Sequence, residues 1–142
     1  MNILPLTIED EQLIEEAKAV ISKYYQLNKH HVGAALRTKS GKVFTAVHLE
    51  ANVGRVAVCA EAIALGKAIS EGENEFTTIV AAMRSNQNEQ QEEIYVVSPC
   101  GMCRELISDY GPDVQVIFVD NGELKKVFVS ELLPGKFTRS WG

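Results

Sequence analysis

All three cysteines of this 142-residue chain lie in two short segments. The first, residues 58–61, reads V-C-A-E, and the second, residues 98–104, reads S-P-C-G-M-C-R. Two residues separate Cys100 from Cys103, which is the usual spacing of two thiolates that bind one zinc ion. If the two segments meet in the fold, Cys59 supplies a third ligand. Three protein ligands leave the fourth position of a tetrahedral Zn²⁺ open for water, as catalytic zinc sites do.

Glu61 follows Cys59 by two residues. A carboxylate beside a metal and away from bulk water can take a proton from the attacking water and deliver it to a ring nitrogen and to departing ammonia. A ligand, one residue, Glu and a later P-C-x-x-C form the signature of zinc deaminases, in which the Glu is the acid/base and not a ligand. The spacing therefore predicts Cys59, Cys100 and Cys103 as metal ligands and Glu61 as the catalytic residue.

The elements that position these residues follow from hydrophobic periodicity and turn residues. We predict helices over residues 8–26, 58–71, 101–110 and, in a short form, 130–133. We predict strands over residues 32–38, 43–49, 77–83, 114–119 and 124–129, a short extended piece over residues 94–97, and an exposed polar loop over residues 85–93. Helices alternating with strands indicate one α/β domain over residues 1–142, and the opening hairpin makes its sheet mixed. Cys59 and Cys100 then lie at helix N-termini, whose positive dipole favours the thiolate.

The composition and the net charge limit the kinds of molecule that the chain is expected to bind. The net charge of −5 and the pI of about 5.2 disfavour nucleic acid, whose binding rests largely on Lys and Arg. No apolar run approaches the roughly 20 residues that a membrane-spanning helix needs. An odd number of cysteines disfavours a disulfide framework, and the acidic N-terminus does not resemble a signal peptide. We therefore expect a cytoplasmic protein that acts on a small molecule, without nucleic-acid or membrane partners.

Four motifs together resemble the cytidine deaminase family in its small homotetrameric form, with features of the blasticidin S deaminases. They are residues 32–36 (V-G-A-A-L), 58–61, 98–104 and 132–137 (L-L-P-G-K-F), so the resemblance runs from about residue 32 to residue 137. It implies a three-layer α/β/α sandwich with a five-stranded mixed sheet and Zn²⁺ as cofactor. It also implies a nucleoside substrate and a homotetramer whose active sites are shared between subunits.

The resemblance also implies roles for residues outside the zinc signature. Glu50 matches the carboxylate that holds the ribose hydroxyls, and Phe137 matches the aromatic residue that covers the base from an adjacent chain. The backbone at Ala60 and Ser98 matches the groups that position the base and its amino group. Arg104 lies beside the zinc ligands, where its charge helps to compensate the three thiolates.

Three positions depart from the family pattern. The family's N-x-E-N segment is H-L-E-A here, with His48 in place of the first Asn. The arginine after the C-A-E motif is Ala62, and the Phe two residues before the V-G-A-A-L strand is His30. His48 and His30 are therefore candidate substrate contacts. These departures bear on which substrate is used more than on whether the reaction is deamination.

The sequence supports one main hypothesis and leaves two others open. The main hypothesis is a zinc-dependent hydrolase that deaminates free cytidine or deoxycytidine. The second is a deaminase of a modified aminopyrimidine nucleoside such as blasticidin S, which His48 and Ala62 favour. The third, from another class, is a non-catalytic binding protein stabilised by zinc, with His48 as the fourth ligand. In interpretations that give these residues no part in substrate binding, Glu50 is a surface carboxylate and Phe137 packs in the core.

Overall fold

The computed structural model describes residues 1–85 and 93–140. The α-helices of these residues are α1 (Ile8–Tyr24), α2 (Ala60–Ser70) and α3 (Gly101–Tyr110). The strands are β1 (Val32–Thr38), β2 (Val43–Val47), β3 (Phe76–Arg84), β4 (Ile94–Val97), β5 (Gln115–Asp120) and β6 (Glu123–Phe128), and short 3-10 helices cover Gly54–Val56 and Val129–Leu132. Apart from its two ends, the loop predicted over residues 85–93 lies outside the described residues.

Helix α1 begins at a capping box. The Thr7 hydroxyl accepts a hydrogen bond from the Asp10 backbone N–H at 3.2 Å, and the Asp10 carboxylate accepts one from the Thr7 N–H at 2.9 Å. This satisfies two of the N–H groups that a helix N-terminus leaves unpaired. The same carboxylate is buried against the Lys126 ammonium at 2.6 Å, so α1 is fixed to β6 as well as capped.

The sheet is mixed, as predicted, and its main path runs β2-β1-β3-β5-β6. Strand β1 is antiparallel to β2 and β3, β3 is parallel to β5, and β5 is antiparallel to β6. A sixth strand, β4, joins the five predicted ones among the described residues. There is room for it because β5 pairs only with residues 78–80 of the long strand β3, and β4 pairs with residues 81–84.

Alternating side chains of the sheet face two helical layers, which confirms the three-layer architecture. Ala34 and Leu36 of β1 pack in the cluster that contains α2 and α3, whereas Ala35 between them packs against α1. Helix α1 approaches β1 closely at Gly33, where a Cβ atom would lie 2.6 Å from the Ala17 carbonyl oxygen. Only glycine allows this approach without a shift of the helix.

Helices α2 and α3 lie in the same layer and are in contact with each other. The residue that caps α2 is Cys59, and the residue that caps α3 is Cys100. The predicted helix over residues 58–71 is therefore shorter at its start, and α3 has the predicted bounds. The N-terminal ends of the two helices bring the two cysteine segments together on one side of the sheet. Within residues 1–85 and 93–140, no helix combines the length and apolar character that crossing a membrane requires.

Candidate active site

The three cysteine sulfurs form a group of metal-binding size. Their Sγ atoms all lie within 4.8 Å of one another, and those of Cys59 and Cys100 are 3.6 Å apart. Two thiolates on one tetrahedral Zn²⁺, each about 2.3 Å from the metal, are separated by about 3.8 Å. All three cysteines are free thiols. The donor type and the spacing therefore fit zinc, and Cys59, Cys100 and Cys103 are the residues that would hold it.

The electrostatics of the sulfurs also fit a bound cation. Burial raises the pKa of Cys103, and the nearby Glu61 carboxylate raises it further. Burial likewise raises the pKa of Cys59, to which the charge of Cys100 adds. Burial acts in the same direction on Cys100, but the backbone amide of Cys103 and hydrogen bonding with the other thiols outweigh it and leave the pKa lowered. Without a cation the three thiolates oppose one another, and a dication at their centre removes that cost.

Glu61 lies in the first turn of α2 and is only 6% exposed. Burial raises the pKa of its carboxyl group above the usual value, because the charged form loses its hydration. A carboxyl group tuned in this way holds and releases a proton more readily near neutral pH than an exposed one. The position beside Cys59 and Cys103 places this group at the predicted metal.

A cavity of about 280 Å³ opens over the sulfurs and Glu61. It brings together six predicted site residues, namely His48, Cys59, Ala60, Glu61, Ser98 and Cys100. Val32, Gly54, Ala57, Val58, Val97 and Met102 complete its lining. These additional residues carry no chemical signal in the sequence, because they contribute backbone and apolar surface.

His48 borders the cavity with a side chain that is 12% exposed. Its Nδ1 atom accepts hydrogen bonds from the backbone N–H groups of His31 at 2.8 Å and Val32 at 3.2 Å. Its Nε2 atom lies 3.6 Å from a Glu50 carboxylate oxygen. Both ring nitrogens are thus directed to other partners, which disfavours the hypothesis that His48 is a fourth zinc ligand.

Glu50 and His30 do not line this cavity, but both contact His48, which does. Glu50 lies beside His48 with a 40% exposed side chain, and its other carboxylate oxygen accepts the Ala51 N–H at 3.0 Å. His30 lies behind His48, where its Nδ1 donates to the His48 carbonyl oxygen at 2.8 Å. The Ser98 hydroxyl donates to the Val119 carbonyl oxygen at 2.8 Å, which fixes the backbone that enters α3.

Arg104 also fixes the backbone that enters α3, through hydrogen bonds to main-chain carbonyl groups. Its guanidinium donates to the carbonyl oxygens of Pro99 at 2.9 Å and Leu132 at 3.5 Å. It thereby joins the residue before Cys100 to the C-terminal 3-10 helix. The arrangement holds a zinc ligand in place through the main chain.

Phe137 is 81% exposed and does not pack in the core of the chain. The residue before it is anchored, since the Lys136 ammonium contacts Ser108 Oγ at 2.6 Å and Asp109 Oδ1 at 2.5 Å. Sequence reasoning missed this anchor. Its only sequence signal was a lysine beside the predicted aromatic contact.

Known proteins of similar sequence and structure are deaminases. The family profile "Cytidine and deoxycytidylate deaminase zinc-binding region" matches residues 7–119. Blasticidin-S deaminase of Bacillus cereus is 52% identical over 140 residues, covering 99% of this chain and 100% of the relative. Cytidine deaminase of Halalkalibacterium halodurans is 33% identical over 134 residues, covering 92% of this chain and 96% of the relative. The crystal structure of cytidine deaminase from Burkholderia pseudomallei is similar with a TM-score of 0.72 at 32% identity, covering 89% of this chain and 98% of that one.

The class that this fold and these relatives define is the zinc-dependent hydrolytic deaminases, with zinc as the cofactor. The profile match extends over most of the chain, and the Bacillus cereus relative aligns with nearly all of it. The chain belongs to the family of cytidine and deoxycytidylate deaminases. The family predicted from the four motifs is therefore confirmed.

Proposed function

We propose that the chain hydrolyses the amino group of a cytosine ring carried by a free nucleoside, with release of ammonia. The observation that carries this proposal is the burial of Glu61 beside three clustered cysteine sulfurs at the floor of a cavity. In the overall reaction, water adds its oxygen to C4 of the ring, the C4–N bond breaks, and the amino group leaves as ammonia.

Each residue has a defined part in this reaction. Zinc, when bound by the three cysteines, supplies Lewis-acid activation that lowers the pKa of water to near neutrality. Glu61 accepts one proton of the attacking water and transfers it to the ring nitrogen N3. It then accepts the second proton, from the new hydroxyl group on C4, and delivers it to the departing amine. The backbone at Ala60 and Ser98, both in the cavity lining, positions the base. Arg104 and the two helix N-termini offset the negative charge of the thiolates.

Within this function, blasticidin S is a second candidate substrate beside cytidine and deoxycytidine. The relative named for it is 52% identical over its full length, whereas the cytidine deaminase of Halalkalibacterium halodurans is 33% identical. The departures from the family pattern at His30 and His48 adjoin Glu50, the proposed partner of the sugar hydroxyls: His48 contacts Glu50, and His30 contacts His48. We therefore expect a higher kcat/KM for blasticidin S than for cytidine.

Ammonia release from a substrate panel tests both statements. The panel contains cytidine, deoxycytidine, blasticidin S and a cytosine-containing single-stranded oligonucleotide, each assayed with the zinc-loaded protein. We expect release from one or more free nucleosides and none from the oligonucleotide, because the chain carries a net charge of −5. No release from any free nucleoside would refute the proposed function, and faster turnover of cytidine would refute the preference for blasticidin S.

We further propose a homotetramer in which Phe137 of one subunit covers the base in another subunit's cavity. The exposure of Phe137 supports this, as does the anchored Lys136 that precedes it. Subunits with Glu61→Gln and subunits with Phe137→Ala, mixed under conditions that exchange subunits, should then form hybrid sites with the KM of the wild type, whereas Phe137→Ala alone keeps a raised KM. We also propose that residues 1–142 act as one domain in the cytoplasm, where a reducing environment keeps the three thiols available for zinc.

A further inference from the structure

The segment from Asn28 to Val32 lies along the segment from His48 to Glu50 and fixes it through the main chain. The His48 N–H donates to the Val32 carbonyl oxygen at 2.9 Å, and the Glu50 N–H donates to the Lys29 carbonyl oxygen at 3.0 Å. The His30 ring adds its hydrogen bond to the His48 carbonyl oxygen. Hydrogen bonds therefore hold residues 48–50 in place, although they follow the end of β2.

The same segment determines which nitrogen of His48 carries a proton. Backbone N–H groups can only donate, and two of them, from His31 and Val32, point at Nδ1. Nδ1 must therefore be unprotonated, and the ring proton lies on Nε2. Protonation of Nδ1 would place three N–H groups against one another. Burial lowers the pKa of His48, and the neighbouring His31 lowers it further, which favours the same neutral form.

Nε2 of His48 is the ring atom that faces Glu50. The Nε2–H group approaches one carboxylate oxygen at 3.6 Å, while the Ala51 N–H donates to the other at 3.0 Å. The Ala51 hydrogen bond and the polar contact with His48 thus reach one carboxylate oxygen each, and the pKa of Glu50 is lowered, chiefly by the hydrogen bond from Ala51. With its N–H turned to Glu50 and its Nδ1 occupied, His48 presents neither a spare donor nor a spare acceptor.

We propose that His48 is a positioning residue, fixed as the Nε2–H tautomer by the Asn28–Val32 segment, which holds Glu50 as an acceptor for hydrogen-bond donors of the substrate. The contact surface formed by His48 and Glu50, here called the sugar side, then recognises hydroxyl or ammonium groups and offers no donor of its own. An asparagine at position 48 would instead present an amide N–H. This inference rests on the proposed function for its substrate, but the tautomer itself does not.

Histidine NMR tests the tautomer without any substrate. The chain contains three histidines, and all three belong to this cluster. His30 donates through Nδ1, and the Nε2 atom of His31 accepts the Asn28 N–H at 2.8 Å, so both should carry the proton on Nδ1. Long-range ¹H–¹⁵N spectra of the zinc-loaded protein at pH 7.5 should show His48 alone as the Nε2–H form. A His48 that is charged or protonated on Nδ1 would overturn the proposal.

Two substitutions test the roles of the two ring nitrogens of His48 separately. His48→Asn places an acceptor near Nδ1 and removes the Nε2–H group, so folding is preserved while the hold on Glu50 is lost. His48→Gln places an N–H group near Nε2 and removes the Nδ1 acceptor. We expect His48→Asn to raise KM for blasticidin S about tenfold with little change in kcat, because the polar contact that holds Glu50 is lost. His48→Gln should recover part of this KM at the cost of a lower melting temperature.

Glu50→Gln provides the matched control, because it keeps the shape of Glu50 and removes the charged acceptor. It should raise KM at least as much as His48→Asn does, and the double variant should be no worse than Glu50→Gln alone. Equal KM values for the wild type and His48→Asn, or independent effects in the double variant, would overturn the proposal. If neither nucleoside is deaminated by the wild type, the proposed function fails, while the NMR spectra and melting temperatures still decide the tautomer.

Discussion

The predicted zinc site and the sugar side are built in different ways. At the zinc end, which consists of Cys59, Glu61, Cys100 and Cys103, the side chains lie in or just before the first turns of α2 and α3. Each is placed by its position on a helix. At the sugar side, formed by His48 and Glu50, the residues lie beyond a strand end and are held by hydrogen bonds from a separate segment.

Because of this difference, one group of residues determines the reaction and the other determines which substrate is bound. The zinc end has the residue types that hydrolytic deamination requires, and they match the family signature position by position. Two of the three departures from the family pattern, His30 and His48, lie at or directly behind the sugar side. Changes at the zinc end should therefore affect kcat and metal content, and changes at the sugar side should affect KM.

Removing a zinc ligand should have the largest effect. Cys100→Ala should lose zinc and all measurable activity, and its melting temperature should fall by about 10 °C, because metal binding contributes directly to folding. Zinc content per subunit and thermal unfolding measure both effects. Met102→Ala is the matched control, since this exposed side chain lies between the two ligands of α3 and should leave the zinc content unchanged. Full zinc occupancy in Cys100→Ala would show that the ligand set is wrong.

Replacing Glu61 should stop the reaction without disturbing the metal. Glu61→Gln keeps the size of the side chain but cannot transfer a proton, so kcat should fall by about 10³-fold. Zinc content should equal that of the wild type, which distinguishes this variant from Cys100→Ala. Loss of zinc in Glu61→Gln would mean that the carboxylate supports the metal and that its assignment as the proton carrier is mistaken.

The zinc end was predictable from sequence because its geometry is local. A C-x-x-C spacing and a C-x-E spacing describe neighbouring positions at helix N-termini, so residue order almost determines where the side chains meet. Helix α3 has the predicted bounds for a similar reason, since Gly111 and Pro112 stop it. Helix α1 ends at Tyr24, two residues before its predicted end, because Tyr25 leaves the helical conformation with a ψ of 133° and Gln26 pairs with His30.

The sugar side was predictable only in part. The resemblance identified His48 and Glu50 as candidates, but the tautomer of His48 depends on two N–H groups that lie 16 and 17 residues away in sequence. No local pattern encodes that contact. The pairing of β4 with the end of β3 was missed for the same reason, because the spare pairing positions on β3 depend on how far β5 extends.

Replacing Phe137 should have a smaller effect than replacing Cys100 or Glu61. Its replacement by Ala should raise KM about tenfold, since stacking of an aromatic side chain on a base contributes about 1–3 kcal/mol. Steady-state kinetics with blasticidin S and cytidine measure this change. Tyr110→Ala, which removes another exposed aromatic residue, is the control and should leave KM unaltered. An unchanged KM in Phe137→Ala would remove Phe137 from the substrate site.

The smallest expected effect is a pH dependence of stability that originates at the sugar side. The pKa of His48 is lowered from 6.5, first by burial and then by His31, and the nearby Glu50 only partly opposes this. As the pH falls below 6.5, the unfolded chain binds a proton at His48 before the folded chain does, so acidification favours unfolding. The stabilising contribution is thus present above pH 6.5 and is lost below it. Between pH 7.5 and 5.5 the melting temperature of the wild type should fall further than that of His48→Asn. The variant keeps the same zinc ligands, so any pH effect at the metal is common to both proteins. Parallel pH dependences would show that the fold does not favour neutral His48.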